Sequence, residues 1–258
     1  MSIGTTQYRL FMGHRVVVLT GAGISAESGI RTFRDSNGLW EDHDIEDVAT
    51  PDGFERNPVL VWKFYKERYR QLATVKPNAA HYALARMEEV MKDRFCLVTQ
   101  NIDGLHHDAG NHRIYEMHGR LRECFCINCH KYFHMKAIDL NQEVPECPSC
   151  GDILRPDVVW FGEIPYHLPE IEQKLIKADY LVVVGTSGVV YPAAGFAAIA
   201  KMRGAKIIGI NLEEPENAHV FDEFFKGKSG DILPSLVEQW CGSNHEEPGT
   251  DRIILTKT

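Results

Sequence analysis

Val16-Val17-Val18-Leu19-Thr20-Gly21-Ala22-Gly23-Ile24-Ser25-Ala26 is the stretch that decides the fold class. An unbroken β-branched, apolar run reads as a strand buried on both faces. The G-x-G-x-x-A after it lets the backbone turn sharply and approach a pyrophosphate, whose charge a helix N-terminus there would stabilise. Outward from this stretch the grammar repeats. Beyond Arg15–Thr20, the runs Phe95–Thr99, Tyr180–Gly185 and Lys206–Asn211 are short, apolar and followed by Gly or polar turns, with helical stretches between them. That alternation predicts an α/β protein built on a Rossmann-like, doubly wound parallel sheet. Two stretches interrupt it: residues about 33–78 are polar and mostly helical, and residues about 119–155 cluster cysteines. Both read as a smaller inserted lobe, made of a helical module and a four-cysteine zinc-binding module. The expected domain covers residues 3–242, with a Rossmann-like lobe of about 8–32, 79–118 and 156–240, and leaves 243–258 as a tail.

The nucleotide signal lacks one usual part. An acidic residue about 20 positions on should end a second strand and hold a ribose. Here Glu41-Asp42-His43-Asp44 does not follow a strand, which argues against a standard dehydrogenase. Later turns supply candidates instead. Gly185-Thr186-Ser187 follows the third strand, and Asn211-Leu212-Glu213 follows the fourth, where Glu213 could take the ribose hydroxyls.

Cys126-x-x-Cys129 and Cys147-x-x-Cys150, 17 residues apart, form a four-cysteine zinc signature. Four thiolates fill a tetrahedral shell, so this metal is structural and supplies folding energy to a lobe with little core of its own. Cys124 is a competing ligand at a less suitable C-x-C spacing; Cys96 and Cys241 read as buried or neutral thiols. The net charge of −8 weighs against nucleic-acid binding through a basic field. No apolar run approaches the about 18 residues of a membrane span, and Met1 to Arg15 has no apolar signal core, so a cytoplasmic protein is expected.

Taken in order, the motifs resemble one family. Gly21-Ala22-Gly23-Ile24-Ser25-Ala26-Glu27-Ser28-Gly29-Ile30-Arg31-Thr32-Phe33-Arg34 looks like the signature of the sirtuins. So do Thr99-Gln100-Asn101-Ile102-Asp103-Gly104-Leu105-His106, His118-Gly119, the paired C-x-x-C, Val159-Trp160-Phe161-Gly162-Glu163 and Gly185-Thr186-Ser187. The resemblance implies an NAD-dependent protein-lysine deacylase that releases nicotinamide and 2′-O-acyl-ADP-ribose, with NAD as co-substrate and one structural zinc ion. It makes His118 the base and pairs it with Asn101, which positions a water and the ribose. Gln100, Ile102 and Asp103 lie around the nicotinamide and its ribose. Gly21, Ala22, Gly23, Ile30, Phe33, Arg34 and Trp40 fall on the cofactor-closing side, and Gly185, Thr186, Ser187, Asn211, Leu212, Glu213 and Ser229 on the adenosine side. The partner it implies is an acylated-lysine protein segment, added as a strand between Phe161-Gly162-Glu163 and the Val189–Tyr191 segment.

The acyl pocket carries a narrower expectation. Asn57 and Pro58 start a helix that runs to about Ala73, and on it Tyr65 and Arg68 are i and i+3 on one face. Tyr65-x-x-Arg68 resembles the motif of the class III sirtuins, which remove succinyl, malonyl and glutaryl groups. A guanidinium grips a carboxylate bidentately and a phenol adds a hydrogen bond. Ala49 matches a position kept small in that class. Dual use of acetyl groups is expected. The alternatives are a plain deacetylase, a mono-ADP-ribosyltransferase and a non-catalytic NAD-sensing module.

Overall fold

The computed structural model describes residues 13–31, 39–40, 43–188, 190–215 and 218–241. In chain order the strands are β1 (Val16–Thr20), β2 (Leu39–Trp40), β3 (His43–Asp44), β4 (Phe95–Thr99), β5 (Ile114–Glu116), β6 (Gly119–Cys126), β7 (Tyr132–His134), β8 (Leu154–Val158), β9 (Tyr180–Val184), β10 (Lys206–Asn211) and β11 (Glu223–Lys226). The α-helices are α1 (Ile45–Val48), α2 (Pro51–Arg56), α3 (Pro58–Gln71), α4 (Ala79–Met91), α5 (Leu105–Asp108), α6 (Leu168–Ile176), α7 (Ala193–Met202) and α8 (Ser229–Cys241). None of them is long and apolar enough to cross a membrane.

Six strands form one parallel sheet in the order β11-β10-β9-β1-β4-β5. The opening run is its middle. Val16 and Val18 pack to one face with Leu84 and Met87 of α4 and Leu233 and Trp240 of α8. Val17 and Leu19 pack to the other with Ile171 and Leu175 of α6 and Phe196 of α7. The period of two thus sends alternate residues of one run into two cores, which is why Val16 to Leu19 are all apolar. All four sequence-read strands are present. β1 begins one residue later and β9 ends one earlier than their expected bounds, with Arg15 and Gly185 just outside the strands. The edge strands β5 and β11 lack an apolar run because most of their residues are only half-buried.

One expectation is corrected. No α-helix starts at the G-x-G-x-x-A turn. Two 3₁₀ turns, Ala22–Ile24 and Ala26–Ser28, follow instead and end at Gly29 in the left-handed region, φ 94°. The Gly23 N–H points at Gly185 O (2.8 Å) rather than outward. The two glycine turns are in backbone contact: a Cβ at Gly185, whose φ is +63°, would lie 2.3 Å from Ile24 N.

A second core stands apart from the sheet. Trp62, Phe64 and Tyr65 of α3 pack with Leu121, Met135, Leu154 and Trp160. β7-β6-β8 is antiparallel and carries a bulge between Gly119 and Cys124. Asn57 caps α3 by accepting from Leu60 N (3.0 Å), as its sequence suggests. The helix is tied to the cysteine-bearing module at two points. Trp62 Nε1 donates to Leu154 O (2.8 Å), and the Lys66 ammonium donates to Gln142 O and Glu143 O.

Gly185→Ala forces a side chain into the facing turn at a left-handed φ. It is expected to lower unfolding stability by about 2–4 kcal/mol, measured by urea denaturation. A stability equal to wild type would show that the turns do not need their contact.

Candidate active site

The carboxyl ends of β1, β4, β9 and β10 open on one side of the sheet, where ligands bind in such folds. Thr20 and Thr99 end adjacent strands, and their hydroxyls pair at 2.8 Å. Thr20 donates in that pair, so the His106 Nε2 contact to Thr20 Oγ1 (3.0 Å) is a donation from the ring. Above them Ser25 Oγ donates to Asp103 Oδ2 (2.7 Å), while Asn101 Nδ2 donates to Ser25 Oγ and to Gly21 O, both at 3.1 Å. A carbonyl only accepts, so the Gly21 contact fixes the Asn101 amide with its oxygen turned the other way. His81 Nδ1 accepts from Asn78 N (3.3 Å), which leaves its Nε2 to face Ser25 Oγ at 3.4 Å. Ser25, His81 and His106 are fully or almost fully buried. Burial pulls the His81 pKa down to about 4 and the His106 pKa well below the usual imidazole range, so both rings are neutral.

His118 sits at the rim of this polar floor. Its Nδ1 faces Gln100 O at 3.1 Å. Because that carbonyl can only accept, Nδ1 carries the proton and Nε2 holds the lone pair. Burial lowers the pKa of His118, partly opposed by this hydrogen bond. Gly119, at φ +84°, lets the chain pass so close to Asp157 that a Cβ there would lie 2.2 Å from its carbonyl oxygen.

On the other side of the glycine turns is a cavity of about 240 Å³, lined by Gly23, Glu27, Gly185, Asn211, Leu212 and Ser229 among others. That is room for one end of a dinucleotide rather than the whole. Asn211 Nδ2 donates to Thr186 O (3.0 Å), joining the turns after β9 and β10. Glu27 accepts from Gly230 N (2.9 Å) and Ser229 Oγ (3.2 Å), so it anchors the start of α8 at the cavity wall. Glu213 is exposed on the turn after β10.

The expected acyl residues lie in the second core. Tyr65 is fully buried, and Trp160 Nε1 donates to its hydroxyl (2.9 Å). Burial holds the phenol protonated, well above its ordinary range. Arg68 leans its guanidinium 3.7 Å over the Phe64 ring and donates to Phe64 O (2.9 Å). Its side chain is only 13% exposed, so the pair does not lie on a solvated helix face. Ala49 is buried in the same core, and its carbonyl accepts from Phe161 N (2.9 Å). Phe161 and Tyr191 remain exposed beside the opening, with Gly162 turning between Phe161 and Glu163 at φ +89°.

The four cysteines Cys126, Cys129, Cys147 and Cys150 bring their sulfurs within 4.8 Å of one another. The Cys126–Cys150 and Cys129–Cys147 separations are 3.4 and 3.6 Å. Sulfurs at zinc's bond length of about 2.3 Å in a tetrahedron are about 3.8 Å apart, so the cage fits one zinc ion with no open position. Backbone N–H groups of Cys129 and Ser149 point at Cys126 and Cys147 sulfurs, both at 3.4 Å, as thiolates require. Cys124 stays outside the cage: its buried thiol donates to Phe133 O, and burial pushes it up to about 12. Cys96 and Cys241 are buried thiols, as read from sequence.

The structure therefore brings Gln100, Asn101, Asp103 and His118 to one floor beside Gly21, while Ile102 packs against the second core and Ile30 N donates to Ser25 O. Phe33, Arg34, Val189 and the Trp40 side chain lie outside the described residues. Sequence reasoning did not single out His81, His106 or Glu27. Ser25 and Glu27 stood inside the quoted motif, but His81 lies on α4 with no local signal.

The profile of the Sir2 family matches residues 21–192. An NAD-dependent protein deacylase of Bdellovibrio bacteriovorus is 52% identical over 236 residues, covering 90% of this chain and 98% of its own. The NAD-dependent protein deacylase SIR2rp3 of Leishmania major is 50% identical, covering 87% and 94%. Among solved structures, a Sir2 homologue in complex with NAD superposes with a TM-score of 0.81 at 40% identity, over 88% of this chain and 89% of that one. A Sir2–p53 peptide–NAD+ complex gives 0.77 at 33%, over 87% and 92%.

Removing the metal tests the cage. Cys147→Ser is expected to lose the one zinc per chain seen by elemental analysis and to unfold at lower denaturant. Full zinc content in that variant would remove Cys147 from the ligand set. Acid tests the floor. His81 and His106 bind a proton more readily unfolded than folded, so stability they contribute above about pH 6.5 is lost as pH falls toward the folded value of about 4 for His81. His81→Gln is expected to flatten the decline in urea midpoint between pH 7 and 5; an unchanged slope would show that His81 is not buried neutral.

Proposed function

The chain belongs to the Sir2 family, and on that premise we propose that it is an NAD-dependent protein-lysine deacylase whose acyl site accepts groups ending in a carboxylate, succinyl and malonyl, alongside acetyl. The observation that carries the acyl preference is a fully buried Tyr65 in the core that also holds Ala49 and Trp160, with Arg68 one helical turn on and only 13% exposed. A guanidinium in low-dielectric surroundings is stabilised by an incoming carboxylate, and a protonated phenol offers a donor to the same group. The small Ala49 leaves length for a longer chain.

NAD supplies the electrophilic sugar carbon and the acyl acceptor. The residues of this chain do the rest. Asn101, Asp103 and Gln100 bound the nicotinamide end, and the turns at Gly185-Thr186-Ser187 and Asn211-Leu212-Glu213, with Ser229, bound the adenosine end. Asn101, its amide protons committed to Gly21 and Ser25, keeps an oxygen with which to hold water or ribose. His118 takes a proton from a ribose hydroxyl through Nε2, the nitrogen left basic by the Gln100 contact. A lowered pKa keeps that nitrogen unprotonated at neutral pH. The acyl-lysine segment adds as a strand by Phe161-Gly162-Glu163 and the segment ending at Tyr191.

Nicotinamide release is measured with one peptide carrying succinyl-lysine or acetyl-lysine, for wild type and Arg68→Met. Succinyl efficiency is expected to fall by about 10–100-fold in the variant, the worth of one or two charge-assisted hydrogen bonds, with acetyl turnover kept. A wild type that uses acetyl alone, with Arg68→Met unchanged, would make this a plain deacetylase. For the base, kcat/KM is expected to rise with pH through a value below the usual 6.5 of imidazole and to stay level above it. His118→Tyr is expected to bind NAD without turnover; transfer of label from NAD to protein would favour ADP-ribosyl transfer.

A further inference from the structure

Trp160, the indole that donates to Tyr65, is itself stacked under an arginine. The Arg155 guanidinium lies 3.6 Å over the Trp160 ring. Arg155 also grips Glu163 with both arms, Nη1 to Oε1 at 2.7 Å and Nη2 to Oε2 at 2.5 Å, and donates to Val158 O (3.1 Å). Glu163 Oε2 in turn accepts from Trp160 N (2.8 Å), so the 160–163 turn closes on its own arginine. The Arg155 side chain is only 14% exposed. Phe54 packs near the indole at 5.3 Å, which leaves the ring little freedom. The chain Glu163–Arg155–Trp160–Tyr65 therefore runs unbroken from the peptide-binding turn to the acyl site. The charges of Arg155, Arg68 and Glu163 are all felt at the Tyr65 phenol, after burial itself.

We propose that Arg155 is a positioning residue for acyl selectivity: its stack on Trp160 fixes the Tyr65 hydroxyl, and its pairing with Glu163 cancels a carboxylate that would repel an acidic acyl group. The inference rests on the carboxylate-accepting acyl site argued above. Without Arg155 two things change together. Trp160 loses the plane it lies against, so its N–H no longer fixes the phenol. Glu163 is left as an uncompensated anion whose charge is felt at the Tyr65 phenol, where a second carboxylate must enter. An acetyl group, being neutral, feels only the first change. Arg155 thus acts on which acyl chain is used, through Trp160 and Glu163, without touching the acyl group.

The test measures kcat/KM for succinyl-lysine and acetyl-lysine peptides in wild type, Arg155→Met, Arg155→Lys, Glu163→Gln and the Arg155→Met/Glu163→Gln double variant, with thermal midpoints alongside. The succinyl-to-acetyl ratio is expected to fall by about tenfold in Arg155→Met, as for loss of one charge-assisted contact. The double variant is expected to recover part of that ratio, because it removes the stranded anion; a merely structural loss would not be repaired by a second deletion. Arg155→Lys keeps the charge without the planar stack and should fall between. If Arg155→Met does not fold, Glu163→Gln decides: its ratio should hold or rise, and a fall overturns the proposal. Equal losses for both peptides in Arg155→Met, or a ratio the double variant does not improve, overturn it too. A wild type that ignores succinyl-lysine overturns the carboxylate-accepting site and this proposal with it. A wild type that uses succinyl-lysine, with a ratio untouched by Arg155→Met, overturns this proposal alone.

Discussion

Two backbone turns meet without side chains between them, at Gly21–Gly23 and at Gly185, and much of the site follows from that contact. β1 and β9 are neighbours in register, so their ends arrive at the same height. Any Cβ at Gly185 would strike the opposite main chain. With the turns pressed together, the chain after β1 is directed over β4 rather than into a helix, and Ser25 is carried down to Asp103 and Asn101. The cavity by Glu27 and Asn211 lies on one side of the contact, and the polar floor on the other. The cavity and the polar floor are thereby separated by a ridge of bare backbone.

The second core plays the complementary part. Its helix, its antiparallel sheet and its cysteine cage are individually too small to bury much apolar surface. They become stable by sharing it: α3 packs on β6 and β8, Lys66 ties the helix to the loop before Cys147, and zinc would close that loop. Tyr65 and Arg68 sit on the same helix that builds this core, so their positions are set by packing rather than by a surface loop.

The sheet was legible because a strand covered on both faces keeps its polar residues to its ends, as with Thr20 and Thr99, and leaves the middle of the run apolar. β5 and β11, edge strands with half-exposed residues, carry no such run. The cage was legible because C-x-x-C spacing is local. The polar floor was only half legible. Asn101, Asp103 and His118 were reached through resemblance, whereas His81 and His106 meet across 25 residues of chain and two elements, and only tertiary packing brings their rings to 4.9 Å. The partnership of Trp160 with Tyr65 spans 95 positions and was equally invisible. Where function depends on a local motif the sequence speaks; where it depends on two remote elements touching, it does not.

The His118 ring has one further property. What orients the His118 ring is a main-chain oxygen, at residue 100, rather than a carboxylate side chain. Every amino acid brings that oxygen, so no substitution at position 100 can delete it. The tautomer is thus heritable independently of the residue at position 100, whose side chain remains open to drift and selection for other ends. Mutational robustness of this kind comes from placing a ring's orientation on the part of the polymer that the genetic code does not vary.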